Sequence, residues 1–464
     1  MPTIDADYLV VGAGATGMAF TDALIQDSDA RVVMVDRRDR PGGHWNNAYG
    51  FVRLHQPAAF YGVNSRVLGS DAIDERGPNA GMYERVMAAE VCDYFQRVLD
   101  EHLLPSSQVQ LFGMCDYAWG GGEHQFVSRL TGEATTVRVR RKIVDATYLE
   151  TPIPSTHVPS FSVEPGARLI AVNGLVDLTE AASRYTVIGA GKTAMDACAW
   201  LLDNGVTPDA IRWIRPRDAW LLDRAYTQPL DLVASILDGV SLGLECAAHA
   251  ESVTDLFRRL EACGQLIRLD PAVEPTMYRC ATVSTGELEK LRTIENVVHK
   301  GRVVHIGASE VTLAEGSVPA APGEVFVDCT AAGLRVSPAR PIFEADRITL
   351  QQVRTCQPTF NAALVGYLEA MRADDAEKNR LCPPNPYPDA ATDWMAATAI
   401  SQRAQDAWNA DAELMAWMEG ARLNAARGVG DHLTEPRVTS ALNRMFANAD
   451  AAVANLDRLI ASAS

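Results

Sequence analysis

The start of the chain alternates between apolar runs and a glycine-rich turn. Residues 7–11 are an apolar run that ends in glycines, residues 15–26 carry apolar side chains at helical spacing, and residues 31–35 form a second, β-branched run. This order predicts a strand, a helix and a second strand, which is the β-α-β unit that opens a parallel sheet. We therefore expect an α/β fold.

The same pattern restarts in the middle of the chain. Residues 185–188 are mostly apolar, a glycine turn covers 189–191, residues 194–202 have helical spacing, and residues 211–214 form another strand-like run. Each unit has the order of a Rossmann-like dinucleotide-binding fold. Two such domains, with added C-terminal helices, are therefore predicted in one polypeptide.

The rest of the pattern sets the predicted domain limits. Four prolines between residues 150 and 165 indicate a linker. We place the first domain at 1–165, the second at 166–320, and a return segment of the first domain together with the C-terminal helices at 321–464. Outside the two openings we expect helices over 81–104, 359–372, 391–427 and 436–462, short strands over 107–147 and 296–328, and mostly helical, irregular structure over 220–295.

Composition and charge restrict the partners. The chain has 464 residues, with 42 basic and 59 acidic side chains and a net charge of −17. Such an acidic protein does not favour nucleic acid or an anionic membrane as its main partner. The N-terminus lacks a basic segment and glycines interrupt its first apolar run, so we expect neither a signal peptide nor a membrane span.

The cysteines predict a reducing environment. None of the nine cysteines belongs to a C-x-x-C pair. An odd number without paired spacing is typical of a reduced cytoplasmic protein. The pattern therefore predicts no redox disulfide and no zinc or other metal site.

The first glycine turn has the chemistry of a phosphate-binding loop. Gly12 permits the tight turn, Gly14 lets a pyrophosphate approach the backbone, and Gly17 lets the helix pack closely on the strand. The helix N-terminus offers N–H donors and partial positive charge to phosphate oxygens. The acid after the second strand, Asp36, is a candidate to accept hydrogen bonds from ribose hydroxyls. The predicted cofactor-binding residues of this unit are Gly12, Gly14, Ala15, Gly17, Asp36 and Arg37.

The second turn, Gly189-x-Gly191-x-x-Ala194, has alanine in place of the third glycine, which is an accepted variant. Arg215 and Arg217 follow the next strand, where an acid would favour NADH. A guanidinium there favours NADPH because it pairs with the 2′-phosphate, and a solvated strand end is the alternative. The predicted cofactor-binding residues of this unit are Gly189, Gly191, Lys192, Thr193, Ala194, Arg215 and Arg217.

A third motif, P-G-G-H-W, occupies residues 41–45. Its two glycines let the chain run close beside a cofactor, so Gly43, His44 and Trp45 are candidate contacts. Trp45 is a candidate to cover a flavin ring or its ribityl chain, with a core tryptophan as the alternative.

Together these motifs resemble the class B flavoprotein monooxygenases, which comprise flavin-containing monooxygenases, Baeyer–Villiger monooxygenases and amine N-hydroxylases. The resemblance rests on two glycine-rich turns, an acid after the first, arginines after the second and G-G-H-W between them, and it covers roughly residues 7–345. It implies FAD on the first motif and NADPH on the second. It also implies transfer of one oxygen atom from O2 to the nitrogen, sulfur or carbonyl carbon of a small molecule through a flavin C4a-peroxide.

The linker departs from that family. Baeyer–Villiger enzymes carry a pattern of Phe, Gly, His and Trp there, whereas residues 151–161 keep His157 and an aromatic residue four positions later but lack the Phe and the Gly. The departure weakens the case for a Baeyer–Villiger reaction. His157 is either an interdomain hinge contact or an ordinary loop histidine.

Two more cofactor contacts follow from the resemblance. Asp328, in the stretch DCTAAG, resembles the strand end at which the chain returns to the flavin, with an ordinary strand-to-loop turn as the alternative. Gln357 precedes a predicted helix whose N-terminus, in this interpretation, faces the flavin pyrimidine edge.

The candidate catalytic residues lie within 51–65, a stretch that in related enzymes lies beside the flavin ring. Arg53 and His55 are candidates to stabilise a peroxide anion by charge. Gln56 and Asn64 are candidates to hydrogen-bond flavin or substrate. A structural role is the alternative for each. The flavin itself supplies the redox chemistry, so no protein nucleophile or metal is required.

Three functions stay open at this point. The first is an FAD- and NADPH-dependent monooxygenase that acts on a small molecule with O2. The second is a reductase or dehydrogenase with the same cofactors and no oxygen transfer, and the third is a non-catalytic flavin- or nucleotide-binding protein. We expect a cytoplasmic location and no nucleic-acid or membrane partner. The substrate is left open, and so is the oligomeric state, a homodimer being one alternative.

Overall fold

The N-terminal part of the chain forms a β-α-β unit that grows into the largest sheet. The computed structural model describes residues 2–120, 123–149, 151–333 and 336–463. The elements of this part are β1 (Thr3–Val11), α1 (Ala15–Gln26), β2 (Val32–Val35), α2 (Ala88–Val98), β3 (Val109–Phe112), β4 (Cys115–Tyr117), β5 (His124–Ser128) and β6 (Ala134–Asp145). The strands β3-β2-β1-β6 are parallel in that order, and β5 and β4 continue the sheet antiparallel.

Local sterics explain why the turn after β1 needs glycines. Gly12 has a φ of +103°, a left-handed conformation that side chains rarely adopt. A Cβ on Gly17 would overlap the carbonyl oxygen of Gly12, because α1 lies directly against the end of β1. The last four residues of β1 are buried, as expected for a central parallel strand covered on both faces. The predicted β-α-β opening is confirmed.

The middle of the chain repeats this architecture. Its elements are β7 (Ser162–Val163), β8 (Arg168–Ala171), β9 (Arg184–Ile188), α3 (Lys192–Asp203), β10 (Ile211–Ile214), β11 (Ala219–Asp223), α4 (Ala234–His249), α5 (Val253–Ala262), β12 (Leu266–Ile267), β13 (Met277–Val283), α6 (Thr285–Leu291), β14 (Val297–Val298), β15 (Val303–Ile306), β16 (Glu310–Leu313), β17 (Gly316–Pro319) and β18 (Glu324–Asp328). The main sheet, β14-β10-β9-β18-β8, is parallel throughout. Two smaller sheets, β12-β11-β13 and β17-β16-β15-β7, accompany it.

The C-terminal part returns to the first sheet and adds helices. Its elements are β19 (Arg347–Thr349), α7 (Pro358–Met371), α8 (Asp375–Leu381), α9 (Asp393–Asn409), α10 (Ala412–Gly420) and α11 (Pro436–Ala463). β19 pairs in parallel with the end of β6. α7 packs against α1 so closely that a Cβ on Gly366 would lie 2.5 Å from the carbonyl oxygen of Phe20. None of the described helices is both long and apolar enough to span a bilayer.

The structure corrects the predicted return to the first sheet. β18, which ends at Asp328, forms its hydrogen bonds with β9 and β8 and so belongs to the second sheet. The strand that returns to the first sheet is β19. Asp328 is instead the counterpart of Asp145 at the end of β6. Each aspartate accepts hydrogen bonds from the backbone N–H and the hydroxyl of the threonine two residues later.

Some predicted helix limits also change. α2 begins at Ala88, seven residues after the expected start at 81. The stretch 220–295 contains strands β11, β12 and β13 in addition to its helices. Helix α10 ends at Gly420, so the predicted helix over 391–427 is two shorter helices and a turn. Tertiary packing, which the local pattern does not carry, sets these limits.

The expectation of unpaired cysteines is wrong at one place. Cys280 in β13 and Cys356 before α7 form a disulfide across 76 residues of chain, with their Cα atoms 6.3 Å apart. A search for C-x-x-C detects only partners that are neighbours in sequence. This pair arises because the fold places β13 beside the start of α7.

Candidate functional site

The first glycine turn leaves the N-terminus of α1 open. Gly14 is the N-cap residue, and no side chain caps the helix. Helices α5, α6, α8 and α10 each have a serine or aspartate N-cap that accepts a backbone N–H, whereas α4, α7 and α9 share the lack of a side-chain cap. The first N–H groups of a helix have no partner within the helix, so an uncapped N-terminus is suited to an anion.

Asp36 lies beside this turn. Its carboxylate accepts hydrogen bonds from the backbone N–H of Ala13 at 2.7 Å and of Arg38 at 2.8 Å. These bonds hold the side chain at the end of β2, next to the loop, where it retains further acceptor capacity. Arg37 is exposed on the outer side of the same turn.

The third motif folds directly onto the first. The backbone N–H of Gly42 donates to the carbonyl oxygen of Ala13 at 2.9 Å. A Cβ on Gly43, whose φ is +57°, would lie 2.9 Å from the Cα of Gly14. The diglycine therefore passes close beside the first glycine turn.

His44 and Trp45 form a small aromatic group at this turn. Their rings stack with centroids 5.2 Å apart, and the indole N–H of Trp45 donates to the hydroxyl of Tyr61 at 2.8 Å. Burial, with the nearby Arg38, lowers the pKa of His44 to about 4. His44 is therefore neutral at physiological pH.

The four candidate catalytic residues do not come together. The Arg53 guanidinium is exposed and donates to the carbonyl oxygen of Arg85. The Asn64 side chain accepts a long hydrogen bond from the backbone of Leu423. Gln56 is half-buried. His55 lies near Lys192 of the second glycine turn, and burial, with Lys192 next, lowers its pKa to about 3. A charge on His55 is therefore not available near neutral pH.

The second glycine turn has the same geometry as the first. Gly189 has a φ of +138°, and a Cβ there would lie 2.6 Å from the carbonyl oxygen of Cys329. Gly191 caps α3 without a side-chain hydrogen bond, and a Cβ on it would meet open space. Thr193 and Ala194 lie in the first turn of α3. The backbone of this turn therefore has room for a ligand.

The structure does not bring Lys192 and Arg215 to a phosphate. The Lys192 ammonium pairs with Asp196 one turn along α3. Arg215 is buried, with its guanidinium 3.5 Å from Asp218 and 3.6 Å from Asp270. Burial lowers the pKa of Arg215, and these two carboxylates partly offset the effect.

Arg217 keeps an accessible guanidinium. Its side chain is 37% exposed and lies 3.1 Å from Asp389. The same carboxylate also binds Arg279 at 2.6 Å, so two cations share one anion. Of the two predicted arginines, Arg217 is the one that an incoming phosphate can reach.

A group of buried charged side chains, which no sequence motif predicted, lies at the junction of the two units. This junction cluster consists of Arg85, Lys192, Asp196, Arg224 and Glu287. The hydroxyl of Tyr49 donates to Asp196 at 2.7 Å, and the Arg224 guanidinium donates to the carbonyl oxygen of His55 at 2.8 Å. The cluster therefore joins residues 49–55, which precede α2, to α3 and α6.

The junction cluster has more cations than anions. Burial raises the pKa of Glu287. The nearby positive charges of Lys192, Arg224 and Arg85 outweigh this effect and hold the pKa well below its usual range. Three cations face two carboxylates, so the cluster keeps an excess of positive charge. The one sequence signal was the capping box Ser284-x-x-Glu287, which places Glu287 in the first turn of α6.

Polar atoms without partners mark the return segment after β19. The hydroxyl of Thr349 and the amide nitrogen of Gln352 are buried and have no hydrogen-bond partner among the described residues. The backbone N–H of Leu350 donates to the carbonyl oxygen of Asp145, so β19 and β6 end at the same edge of the sheet. Gln357 is the N-cap residue of α7, and its side-chain oxygen accepts a hydrogen bond from the Arg354 guanidinium at 3.4 Å instead of capping the helix. Buried polar atoms are normally paired, so these positions suit a bound ligand.

His157 contacts the end of the second sheet. Its ring nitrogen Nε2 lies 3.1 Å from the hydroxyl of Thr330, two residues after β18. The linker histidine thus ties the connection between the two units to the edge where the second glycine turn lies.

The comparisons with known proteins place the chain in a family. A model for an NAD(P)-binding Rossmann-like domain matches residues 10–60. Uncharacterized protein Rv2000 of Mycobacterium tuberculosis (strain ATCC 25618 / H37Rv) is 48% identical over 446 residues, which are 96% of this chain and 82% of the relative.

The solved structures that resemble this chain are more distant from it in sequence. A flavin-containing monooxygenase from Stenotrophomonas maltophilia is 15% identical, covers 89% of this chain and 99% of its own, and superposes with a TM-score of 0.45. An oxidized steroid monooxygenase bound to NADP is 11% identical, covers 79% and 86%, and has a TM-score of 0.48. Neither superposition is close enough to assign a function to this chain.

Proposed function

This chain belongs to the same family as the mycobacterial protein Rv2000, and we propose its function from the two β-α-β units of its own fold. It is an FAD- and NADPH-dependent oxidoreductase that transfers one oxygen atom from O2 to a small molecule. The observation that carries the proposal is the pair of equivalent glycine turns, each followed by a helix whose N-terminus no side chain caps.

The residues of the first unit fit FAD. The open N-terminus of α1 would hold the pyrophosphate, and Asp36 would accept hydrogen bonds from the ribose hydroxyls. The unpartnered polar atoms of Thr349 and Gln352 offer hydrogen bonds at the same edge of the sheet. When bound, FAD supplies two-electron chemistry and reactivity toward O2.

The residues of the second unit fit NADPH. The backbone N–H groups at the start of α3 would hold its pyrophosphate, and Gly191 leaves space above them. Arg217 would pair with the 2′-phosphate, in exchange for its contact with Asp389. The buried guanidinium of Arg215 stabilises the end of β10 because its charge neutralises Asp218 and Asp270.

The junction cluster determines the electrostatics where the two units meet. Its excess positive charge stabilises negative charge that develops nearby, because fixed cations in a site with little water act strongly. His55, held neutral by burial and by Lys192, leaves that charge unchanged across the physiological pH range. We therefore assign the anion-stabilising role to the cluster and not to Arg53 or His55.

The reaction and its setting complete the proposal. The oxidised atom is nitrogen, sulfur or a carbonyl carbon, and the linker departs from the Baeyer–Villiger pattern, which favours the first two. The substrate is a small molecule, O2 is the second reactant, and the setting is the cytoplasm. An NADPH-dependent reductase would use the same two cofactor sites, and the experiment below separates it from a monooxygenase.

Isotope labelling tests oxygen transfer. The purified protein is incubated with NADPH, ¹⁸O2 and a panel of amines, sulfides and ketones, and the masses of the products are measured by mass spectrometry. A product that carries one ¹⁸O atom supports the proposal. Consumption of NADPH with an equal amount of hydrogen peroxide, and no labelled product from any member of the panel, would overturn oxygen transfer in favour of a reductase.

A further inference from the structure

The Cys280–Cys356 disulfide joins two parts of the chain at the cofactor edge. Cys280 belongs to β13, which follows the second unit's α5, and Cys356 lies between β19 and α7. Both residues have left-handed backbones, with φ of +54° and +64°. Only six non-glycine residues in the described chain share that conformation, and backbone strain of this kind concentrates at functional positions.

Cys356 controls the position of Gln352. The backbone N–H of Cys356 donates to the side-chain oxygen of Gln352 at 2.7 Å. The other end of this carboxamide is the buried nitrogen that has no partner in the described chain. Gln352 is 2% exposed, so it has no access to water for that hydrogen bond. The conformation of Cys356 therefore decides where the free N–H group of Gln352 lies.

The other end of the disulfide is firmly held. The backbone N–H of Tyr278, two residues before Cys280, donates to the carbonyl oxygen of Asp389 at 3.0 Å. The hydroxyl of Tyr387 donates to the carbonyl oxygen of Arg279 at 2.7 Å. With β13 fixed in this way, the disulfide acts as a tether that restrains the turn at Cys356.

We propose that Cys280 and Cys356 are a reversible modification site that regulates cofactor binding. As a disulfide they hold Gln352 in place to bind FAD on the first unit. Reduction by a low-molecular-weight thiol releases the turn and weakens FAD binding. The identity of the ligand rests on the proposed function.

The chemistry is two successive thiol–disulfide exchanges. The first thiol, as its thiolate, attacks the sulfur of the half-buried Cys356; the S–S bond breaks, and Cys280 leaves as a thiolate and takes up a proton. A second thiol then displaces Cys356 from the mixed disulfide. Two protein thiols and one small-molecule disulfide result, so two electrons pass from the small thiols to the protein.

A second cysteine pair provides a matched control. The sulfur atoms of Cys246 and Cys263 lie 3.7 Å apart without a bond. These two residues pack in the same apolar cluster as Cys280 and Cys356. Loss of a sulfur from this second pair disturbs the same cluster and leaves the tether intact.

Alkylation tests the redox state independently of any cofactor. The protein is purified without reductant, and iodoacetamide labelling is mapped by mass spectrometry after unfolding. Cys280 and Cys356 should escape labelling, and both should become labelled when the folded protein is first incubated with millimolar glutathione. Labelling of both without prior reduction, or protection that persists after the folded protein is incubated with glutathione, would overturn the proposal.

Binding of FAD to the apoprotein tests the regulation. FAD fluorescence quenching should give a Kd about five- to tenfold higher for the reduced than for the oxidised protein, the effect of one hydrogen bond. Cys280→Ser should resemble the reduced protein in both states. Cys263→Ser should keep the difference, and Gln352→Leu should remove it while the disulfide stays intact. Equal binding to both states would overturn this proposal alone, and no binding to either would overturn the proposed function as well.

Discussion

Asp36 and Arg215 hold the same position in the two units, directly after the second strand. The backbone N–H of each bonds to the end of the next strand, to Phe112 and Val298 respectively. Their surroundings differ, because the Asp36 carboxylate lies beside the glycine turn whereas Arg215 lies buried between Asp218 and Asp270. Position in the motif was predictable from the sequence, and burial was not, since Asp270 comes from a loop far along the chain.

Arg217→Ala tests which arginine recognises the 2′-phosphate. The KM for NADPH should rise about tenfold, the effect of one charge-assisted hydrogen bond, while the KM for NADH changes little. Steady-state oxidation of both nucleotides measures the two constants. An equal change for NADPH and NADH would contradict the assignment.

Arg215→Ala should act on stability instead. The change leaves Asp218 buried without its cation, and removal of one partner of a buried pair costs about 3 kcal/mol. Urea unfolding measures the loss, with Arg217→Ala as the control, since a partly exposed pair is worth under about 1 kcal/mol. Similar losses for the two variants would show that Arg215 does not stabilise the interior through Asp218.

At the scale of single elements, the local pattern predicted the two β-α-β openings and misassigned a strand. Tyr8 to Val11 and the glycines after them specify their structure through neighbours in sequence. The ends of β6 and β18 both read Asp-x-Thr, so nothing local shows which sheet each joins. The partner of Cys280 is likewise set by tertiary packing.

Two different positions of the glycine turns, Gly17 and Gly191, should respond differently to alanine. Gly17→Ala would overlap the Gly12 carbonyl and should reduce both stability and FAD content. Gly191 has a φ of −86° and open space around it, so Gly191→Ala should fold like the parent and weaken NADP⁺ binding alone. Urea unfolding, flavin absorbance and calorimetric titration with NADP⁺ separate these effects. Loss of stability in Gly191→Ala would contradict an open turn.

At the scale of the whole molecule, burial of neutral histidines makes folding depend on pH. The pKa values of His44 and His55 are about 4 and about 3 in the folded protein, below the ordinary value of 6.5. At a pH between the folded-state pKa of each histidine and its ordinary value, the unfolded chain binds a proton that the folded chain does not. Stability therefore falls as pH drops below 6.5, by up to about 1.4 kcal/mol per pH unit for each histidine.

His55→Gln tests this dependence. Urea unfolding at pH 6.5 and pH 5 should show a smaller loss of stability for the variant than for the parent, because one buried proton acceptor is gone. His249→Gln, in a histidine exposed at the end of α4, is the control and should keep the parent's slope. An unchanged slope in His55→Gln would show that the ring is protonated as easily in the folded state.

The molecule as a whole pairs two β-α-β units across a positively charged junction. The sequence predicted the units and their cofactors from motifs, each confined to a few tens of residues. The junction cluster could not be predicted in that way, because Arg85, Lys192, Arg224 and Glu287 come together from four separate segments. The site between the units is a property of the assembled fold.

An anaerobic titration of the purified protein with NADPH tests the central claim most directly. With FAD on one unit and NADPH on the other, the flavin absorbance near ~450 nm should be present from the start and should disappear as hydride passes to the flavin. A colourless protein that also fails to take up FAD, or a flavin band that NADPH leaves unchanged, would contradict two cooperating cofactor sites in this chain.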